Sequence, residues 1–584
     1  VADPSRTVSL DAPIEGWDAF HSLDNMPPSA AIILDNLIPG AGSVDTRGGY
    51  VVFADLGTGL PVETVASLRA ADLSKLIAAS AGGIWEINDS PPEAASQTID
   101  ELAPIGTYQS DRWQYTNFRK ATEDGVIILC NGIDDAIVYD GTTITDIVTT
   151  GTLPALWDAG TDYVTGDEVQ HPFGTSWVAS QDSLNETPSG GSAFWDSIPQ
   201  DFTADFIGCL TFKGRVYYWR DEDNAFWYTQ AGAYQGEFRK FDLGGVTQRG
   251  GKLVSMVSWT QRDAGTGNDD FLVFIFSTGE IIVYQGDDPD TEGYFEIVGR
   301  YITGEPLSVR GSSNYGADAI IMTKDGYISL SSIIQEGRTS DVPAFSRLIH
   351  AAVTRRTESR SELYGWDCEL FPRVGLFIFN VPLSSQTFEQ HVMNTVTQKW
   401  CRFRDLNVNC LTVHDERLFG GADDGTVLAL LEGTSDDSNP IEFTALYAFN
   451  YMDDPGINKH LTAAQIISTH SRPGDINISG WADFDVPDLP QIDLPVGTTT
   501  GVWSTNTTEP DDAGPFWPAL PPAPLGSFWD EDAWSAQDVP FTTKGWQNVS
   551  AYGYAVAVLV RFAKVNEGVQ WRSTGIRFNM AGAQ

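Results

Sequence analysis

Few residues of this 584-residue chain stand in the spacings that catalysis uses. It contains no Gly-x-Ser-x-Gly elbow, no phosphate-binding loop and no His-Glu-x-x-His pair, so the commonest hydrolase, nucleotidase and zinc-protease chemistries lack support. The histidines (His21, His171, His350, His391, His414, His460 and His470) are scattered without metal-ligand spacing and read as satisfied core or surface imidazoles. Asp287, Asp288, Asp290 and Glu292, in QGDDPDTEG, offer hard oxygens on a tight turn that would suit calcium, but the same residues are good hairpin-turn formers. With 79 acidic residues, a carboxylate pair of the kind that flanks a glycosidic bond arises by chance, and none is singled out. The expectation is a non-enzymatic protein with no cofactor and no bound metal.

One aromatic set could bind a ligand. Trp157, Tyr163, Trp177 and Trp195 fall within residues 154–198, and an exposed ring of this kind stacks on the apolar face of a sugar. A domain this small also uses a few rings as its whole core, so at least two of these tryptophans must be structural.

The elements that carry these residues read as β-hairpins. Residues 415–430 (DERLFGGADDGTVLAL) place two alternating apolar runs around an Asp/Gly turn, the mark of a hairpin with one buried face. The pattern recurs at 75–88, 126–140, 215–229, 271–285 and 319–331. A spacing of roughly 40 to 60 residues suggests propeller blades. Residues 340–360 carry a helical pattern (Phe345, Leu348, Ile349, Ala352, Val353) ending in Arg355-Arg356, expected as an amphipathic helix between blades. Prolines within 8–50 exclude a long helix there, leaving an extended arm with a short helical turn around 29–36. Beyond 433, strands are expected at 441–452, 462–470, 554–562 and 575–580. Between them, 473–540 is a loop-rich stretch anchored by Trp481, Trp503, Trp517, Trp529 and Trp534.

The predicted fold is all-β. An extended arm (1–49) leads into an irregular β-propeller (50–153 and 199–433) with an inserted small β module (154–198), and a C-terminal β platform follows (434–584). The formal net charge of −44, from 79 acidic against 35 basic residues, repels nucleic acid, whose affinity for proteins comes mainly from Lys and Arg on phosphates. It fits a solubility adaptation to a saline habitat, or a conduit through which DNA slides without sticking. Cys130, Cys209, Cys368, Cys401 and Cys410 lack CxxC spacing and read as free buried thiols of a reducing compartment. No signal peptide is visible, and no apolar run approaches the roughly 18 residues that span a bilayer, so a soluble protein is expected.

Residues 11–50 resemble the opening of the tail nozzle (tail hub) proteins of short-tailed bacteriophages. The resemblance rests on Ala12 to Ile14, Met26 to Pro28, Leu34 to Asn36, Pro39-Gly40 and Arg47 to Tyr50, and the chain departs at Glu15, where the family often has Gly. The FWDEDAW stretch before the last strands is similar to the Trp-Asp-x-x-x-Trp step of the family's platform domain. This likeness implies a structural virion protein: a homohexameric ring below the portal and its adaptor (head-to-tail connector), with tail fibres or spikes nearby. Phage DNA would pass through it without specific binding, and the ring would sit in the virion tail after assembly in the host cytoplasm. Residues 154–198 resemble the small chitin-binding carbohydrate-binding module of chitinases. Trp157, Tyr163 with Gly166-Asp167 and Val169, Gly174 with Trp177 and Ala179, Pro188 and Trp195 match in order; Trp177 replaces the usual Tyr, and His171-Pro172 widens a turn. That likeness implies contact with host surface glycan, and it supports the alternative reading of a carbohydrate-binding or glycan-processing propeller.

Overall fold

Each hairpin read from the sequence is present. Strands Ser74–Ser80 and Gly83–Asn88 turn through Ala81 and Gly82, whose φ values of 53° and 73° are the left-handed pair of a two-residue hairpin turn. Asp415 and Glu416, at 44° and 60°, do the same between Cys410–His414 and Arg417–Gly421. The computed structural model describes residues 5–70, 73–88, 97–119, 125–147, 158, 160–170, 176–184, 186–188, 193–198, 204–236, 238–263, 267–289, 294–336, 345–470, 476–486, 541–543, 545–564 and 568–580. The chain forms two compact units: Val1–Gly16, Leu23–Tyr50 and Glu432–Gln584 make the first, Trp17–Ser22 and Val51–Leu431 the second.

Apart from two small sheets within residues 162–198, the described residues of the second unit form a succession of seven antiparallel sheets in chain order. They begin with the strands Val62–Arg69, Gln114–Phe118, Gly208–Phe212, Leu253–Asp263, Ser312–Tyr315, Asp367–Phe371 and Cys410–His414. Each of these first strands touches the first strand or its neighbour in the next sheet, and Cys410–His414 touches Val62–Arg69, so the succession is cyclic. The seventh sheet takes its fourth strand, Tyr50–Asp55, from the beginning of the unit, which joins its two ends by backbone hydrogen bonds.

Apolar residues fill the spaces between consecutive sheets. Val65, Leu76, Phe419 and Val427 lie between the seventh and the first, and Ala66, Ile77, Ile127 and Leu129 between the first and the second. Phe226 stacks on Phe274 at 5.0 Å between the third and fourth, and Tyr327 on Phe379 at 4.2 Å between the fifth and sixth. A strand buried on both faces reads as a continuous apolar run, as in Val126–Cys130 (VIILC). Fully burying each such side chain stabilises the fold by about 1.5–3 kcal/mol.

The fifth sheet has three strands and leads into helix α1 (Leu330–Glu336). Helix α2 (His350–Arg360) follows a 3-10 turn at Arg347–Ile349 and buries Ala352, Val353 and Thr357; residues 340–344 of the expected helix lie outside the described residues. Arg356 of α2 donates to the buried Glu389 at 2.6 and 3.1 Å. Burial alone would push the Glu389 carboxyl up, but the His391 hydrogen bond and the Arg356 and Arg402 charges hold it well below the ordinary range. The basic end of the helix thus supplies an internal ion pair.

In the first unit, residues expected to form an extended arm make strands. Arg6–Asp11 and Val44–Thr46 pair with Val569–Met580, and Ala30–Asp35 pairs with Ile441–Tyr447. The short helical turn expected around 29–36 is therefore a strand, because the ladder offered from more than 400 residues away outweighs local preference. The sheet built on Lys459–His470 and Val569–Met580 packs against the one built on Ile441–Tyr447, Val556–Lys564 and Asn477–Ala482. At that contact Gly480 leaves no room beside Leu461, Val549 and Ala551. Trp481 and Phe484 complete the core around Leu446 and Leu559, whereas Trp503, Trp517, Trp529 and Trp534 lie outside the described residues.

Candidate functional site

The module carries the aromatic set named from sequence. Glu168–Gln170, Ser176–Ala179 and Trp195–Ile198 form one small sheet, and Asp162–Tyr163 pairs with Ser183–Leu184. Trp177 and Trp195 are 8% and 2% exposed and pack with Val169 and Ala179. The Tyr163 ring meets Trp195 edge-on at 5.3 Å, and its hydroxyl accepts the Asp158 N–H at 2.8 Å. Trp195 Nε1 donates to the Glu186 carbonyl at 2.7 Å, and the Asp167 carboxylate accepts the Val164 N–H at 2.8 Å. Both described indoles are core, so neither turns a face to solvent; Trp157 lies outside the described residues.

Of the acidic turn, Asp288 is neutralised by Arg215 at 2.9 Å, while Asp290 and Glu292 lie outside the described residues. Among the described residues no cluster of His, Cys, Asp or Glu is arranged to hold a metal ion.

Where the first strands of the sheets converge, the structure assembles a polar cluster that no sequence pattern announced. Arg310, just before the fifth sheet, reaches the first and second. It donates to the Glu63 carbonyl at 3.0 Å, the Thr64 hydroxyl at 2.7 Å and the Trp113 carbonyl at 2.5 Å. Tyr364 donates to the same Glu63 carbonyl at 2.5 Å, and the Arg112 guanidinium lies 4.2 Å from the Tyr364 ring centroid. Asp367, in the sixth sheet, accepts the Leu411 N–H of the seventh at 3.0 Å. Tyr115 and Thr412 share a hydrogen bond of 2.7 Å, as do Ser67 and His414.

Burial pushes the Asp367 carboxyl up, with the Arg310 charge opposing. Burial, reinforced by Asp367, pushes Glu369 up to about 8, and burial likewise pushes Asp111 up to about 6. The cluster therefore keeps Glu369 protonated at neutral pH. Its groups bond to one another across five sheets, a bracing arrangement without a nucleophile and base in line.

A pH dependence follows. Glu369 ionises near 4.5 when unfolded and at about 8 when folded, so its contribution is complete below pH 4.5 and is lost as pH rises to 8. Glu369→Gln is expected to flatten this fall and to raise stability at pH 8 by roughly 2–3 kcal/mol, checked by calorimetry from pH 5 to 8.

In the first unit the residues of the opening segment meet the C-terminal half. Arg47, with its side chain 0% exposed, forms a two-pronged pair with Asp436 at 2.9 and 2.6 Å and donates from Nε to Asn36 at 2.9 Å. Asn36, left-handed at φ 61°, donates to the Glu442 carbonyl at 2.7 Å. Gly49 lies so close to Ser435 that a Cβ would stand 1.9 Å from its carbonyl oxygen. Backbone hydrogen bonds from Gly49 to Gly433 and from Tyr50 to Ser435 run beside this pair.

These features define an all-β protein: a cyclic array of antiparallel sheets, with a second β unit shared by both ends of the chain. No family model matches the chain, and no curated protein matches it. Among solved structures it is similar to the computationally designed Ika8 protein, at 11% identity and a TM-score of 0.32 over 65% of this chain and 99% of that one. It is also similar to BBS1N in complex with ARL6DN, at 13% identity and a TM-score of 0.23 over 56% and 96% of the two chains. Neither likeness carries an argument about function. No helix among the described residues is long and apolar enough to cross a membrane.

Proposed function

We propose that this chain is the subunit of a tail nozzle ring of a short-tailed bacteriophage. In this reading it is a structural, non-enzymatic virion protein that conducts DNA during ejection. One observation carries the reading: the positions that resemble nozzle proteins at the start of the chain are those that tie it into the C-terminal β unit. Ala12 and Leu34 are wholly buried, Met26 packs with Ala30 and Ala448, and Asn36 and Arg47 anchor the Asp436 loop. A segment chosen for this framework role, and not for a catalytic one, suits a component of an assembly. The net charge of −44 suits a conduit, because carboxylate walls repel phosphates and leave few sticking points. In this proposal six copies form a ring below the adaptor, beside fibres or spikes, in the virion tail.

Cryo-electron microscopy of the particles that contain the chain tests the reading. The expected result is a ring with a central channel at the tail vertex; a free monomer absent from particles would overturn it.

A further inference from the structure

Away from the Arg310 cluster, the first sheet brings a lysine, an amide and two carboxylates together on one face. Leu76 pairs with Ile87 and Ile77 with Glu86, so the next position outward sets Lys75 opposite Asn88. Glu86 and Asn88, two residues apart on one strand, share that face. Side chains opposed in this way stand about 5 Å apart at Cβ, well within the reach of a lysine.

The contacts follow from that register. Lys75 Nζ donates to Glu86 Oε1 and, at 3.2 Å, to Asn88 Oδ1. Asn88 Nδ2 donates in turn to Asp100 Oδ2 at 2.8 Å, on the neighbouring strand Thr98–Ala103. These two contacts fix the amide: its oxygen faces the lysine and its nitrogen faces a carboxylate. Tyr139, from the second sheet, donates its hydroxyl to Glu86 Oε2 and holds the carboxyl in place. Burial and the Glu86 carboxylate push that hydroxyl up, so it stays a donor. The Lys75 and Glu86 side chains are 25% and 7% exposed.

We propose that Lys75 and Asn88 join in an isopeptide bond, with Glu86 carrying the protons. Nζ gives a proton to the Glu86 carboxylate it touches, which frees its lone pair. The lone pair forms a bond to Asn88 Cγ, the carbon whose oxygen Nζ already faces, and the Cγ–Nδ2 bond breaks. Two protons leave Nζ and pass by way of Glu86 to the departing nitrogen. A lysine ammonium and a primary amide thus become a secondary amide and an ammonium ion; atoms and charge balance, and no oxidant or cofactor enters. Holding the two groups in contact supplies the proximity that a reaction between free amine and free amide lacks. An ion pair alone accounts for Lys75 and Glu86. It does not account for an amide with its carbonyl turned to the amine and its leaving nitrogen held by a second carboxylate. The bond ties the hairpin at the end opposite its Ala81-Gly82 turn, and it stands independently of the nozzle reading.

The test is mass spectrometry of the purified full chain. The expected intact mass is lower by one ammonia than the sequence requires. Trypsin cleaves only after a free lysine or arginine, so residues 70–112 should remain one internally bridged peptide. Lys75→Arg keeps the charge without the nucleophile, and Glu86→Gln keeps the shape without the proton carrier. Both should retain the ammonia completely, with their folding checked by circular dichroism. Full mass in the folded wild-type chain would overturn the proposal. So would a lost ammonia with cleavage after Lys75 intact, which means that Asn88 closed on its own backbone. A bond that forms in Glu86→Gln as fast as in the wild type would overturn the role given to Glu86. The wild-type peptide map decides the matter even where a variant fails to fold.

Discussion

Arg310→Met is expected to destabilise the array of sheets by about 3–5 kcal/mol, the range for removing one partner of a buried charge network. The side chain satisfies two backbone carbonyls and a hydroxyl on two other sheets, and its charge opposes the desolvation of Asp367. Losing it removes a donor from each of these acceptors; the Glu63 carbonyl keeps Tyr364 and the Thr64 hydroxyl keeps the Trp113 N–H, so the loss falls hardest on the Trp113 carbonyl, at roughly 1–3 kcal/mol for a buried acceptor that loses its main donor. The apolar replacement recovers the cost of desolvating a guanidinium, but it does nothing for the groups left behind. Arg310→Lys should rescue little, since one ammonium cannot reproduce the fork that serves three acceptors.

The loss should also depend on pH. Without Arg310 the Asp367 carboxyl moves further up, so the variant's deficit grows as pH rises and shrinks toward pH 5. Calorimetry of the full chain, with separate transitions for the two units, would check this. An unchanged transition for the larger unit at both pH values would contradict the bracing role of the cluster.

Arg47→Met is expected to cost about 3–5 kcal/mol in the other unit, because it strands Asp436. Asp436 is 7% exposed and takes both prongs of the guanidinium, so no water shell replaces the pair. Asn36 loses the Arg47 hydrogen bond in the same step and keeps the one to the Glu442 carbonyl, so its left-handed backbone has less to hold it. The effect should be local as well as global. Amides of Gly49, Tyr50, Glu432 and Asp437 donate in the hydrogen bonds that run beside the pair, and their hydrogen exchange should accelerate more than that of the buried strand Val556–Lys564. Uniform acceleration across the unit would mean that Arg47 contributes to global stability alone. Gly49→Ala tests the same place by sterics, since its Cβ would overlap the Ser435 carbonyl.

Much of the larger unit was legible because its signals are local. An apolar run, an Asp/Gly/Asn turn and a second run suffice for a hairpin: Ala81-Gly82 turn where the pattern placed a turn, and Arg417–Gly421 pairs with Thr426–Leu430 around the Asp/Gly stretch between them. In the module, the ordered aromatic spacing marked residues that belong together, and the small size of the domain already required most of them for the core. What spacing cannot express is which way a ring faces. Burial of Trp177 and Trp195 is decided by how three short strands close on one another.

The polar cluster and the joining of the two chain ends were not legible for a related reason. Arg310 sits in an unremarkable Val-Arg-Gly-Ser context, and its acceptors are nearly 200 to 250 residues away, two of them backbone carbonyls that carry no sequence signature. The strand Ala30–Asp35 looked like part of an arm because its partner lies beyond 440. The sequence by itself determined the β character, the hairpin register, the acidic surface and the absence of familiar catalytic motifs, all of which follow from near neighbours and composition. Only the tertiary structure decided that the sheets meet in a cycle and that Arg310 and Arg47 are buried among distant partners. Pairing across hundreds of residues is set by the shapes and ladders that segments offer one another, and no segment holds that information alone.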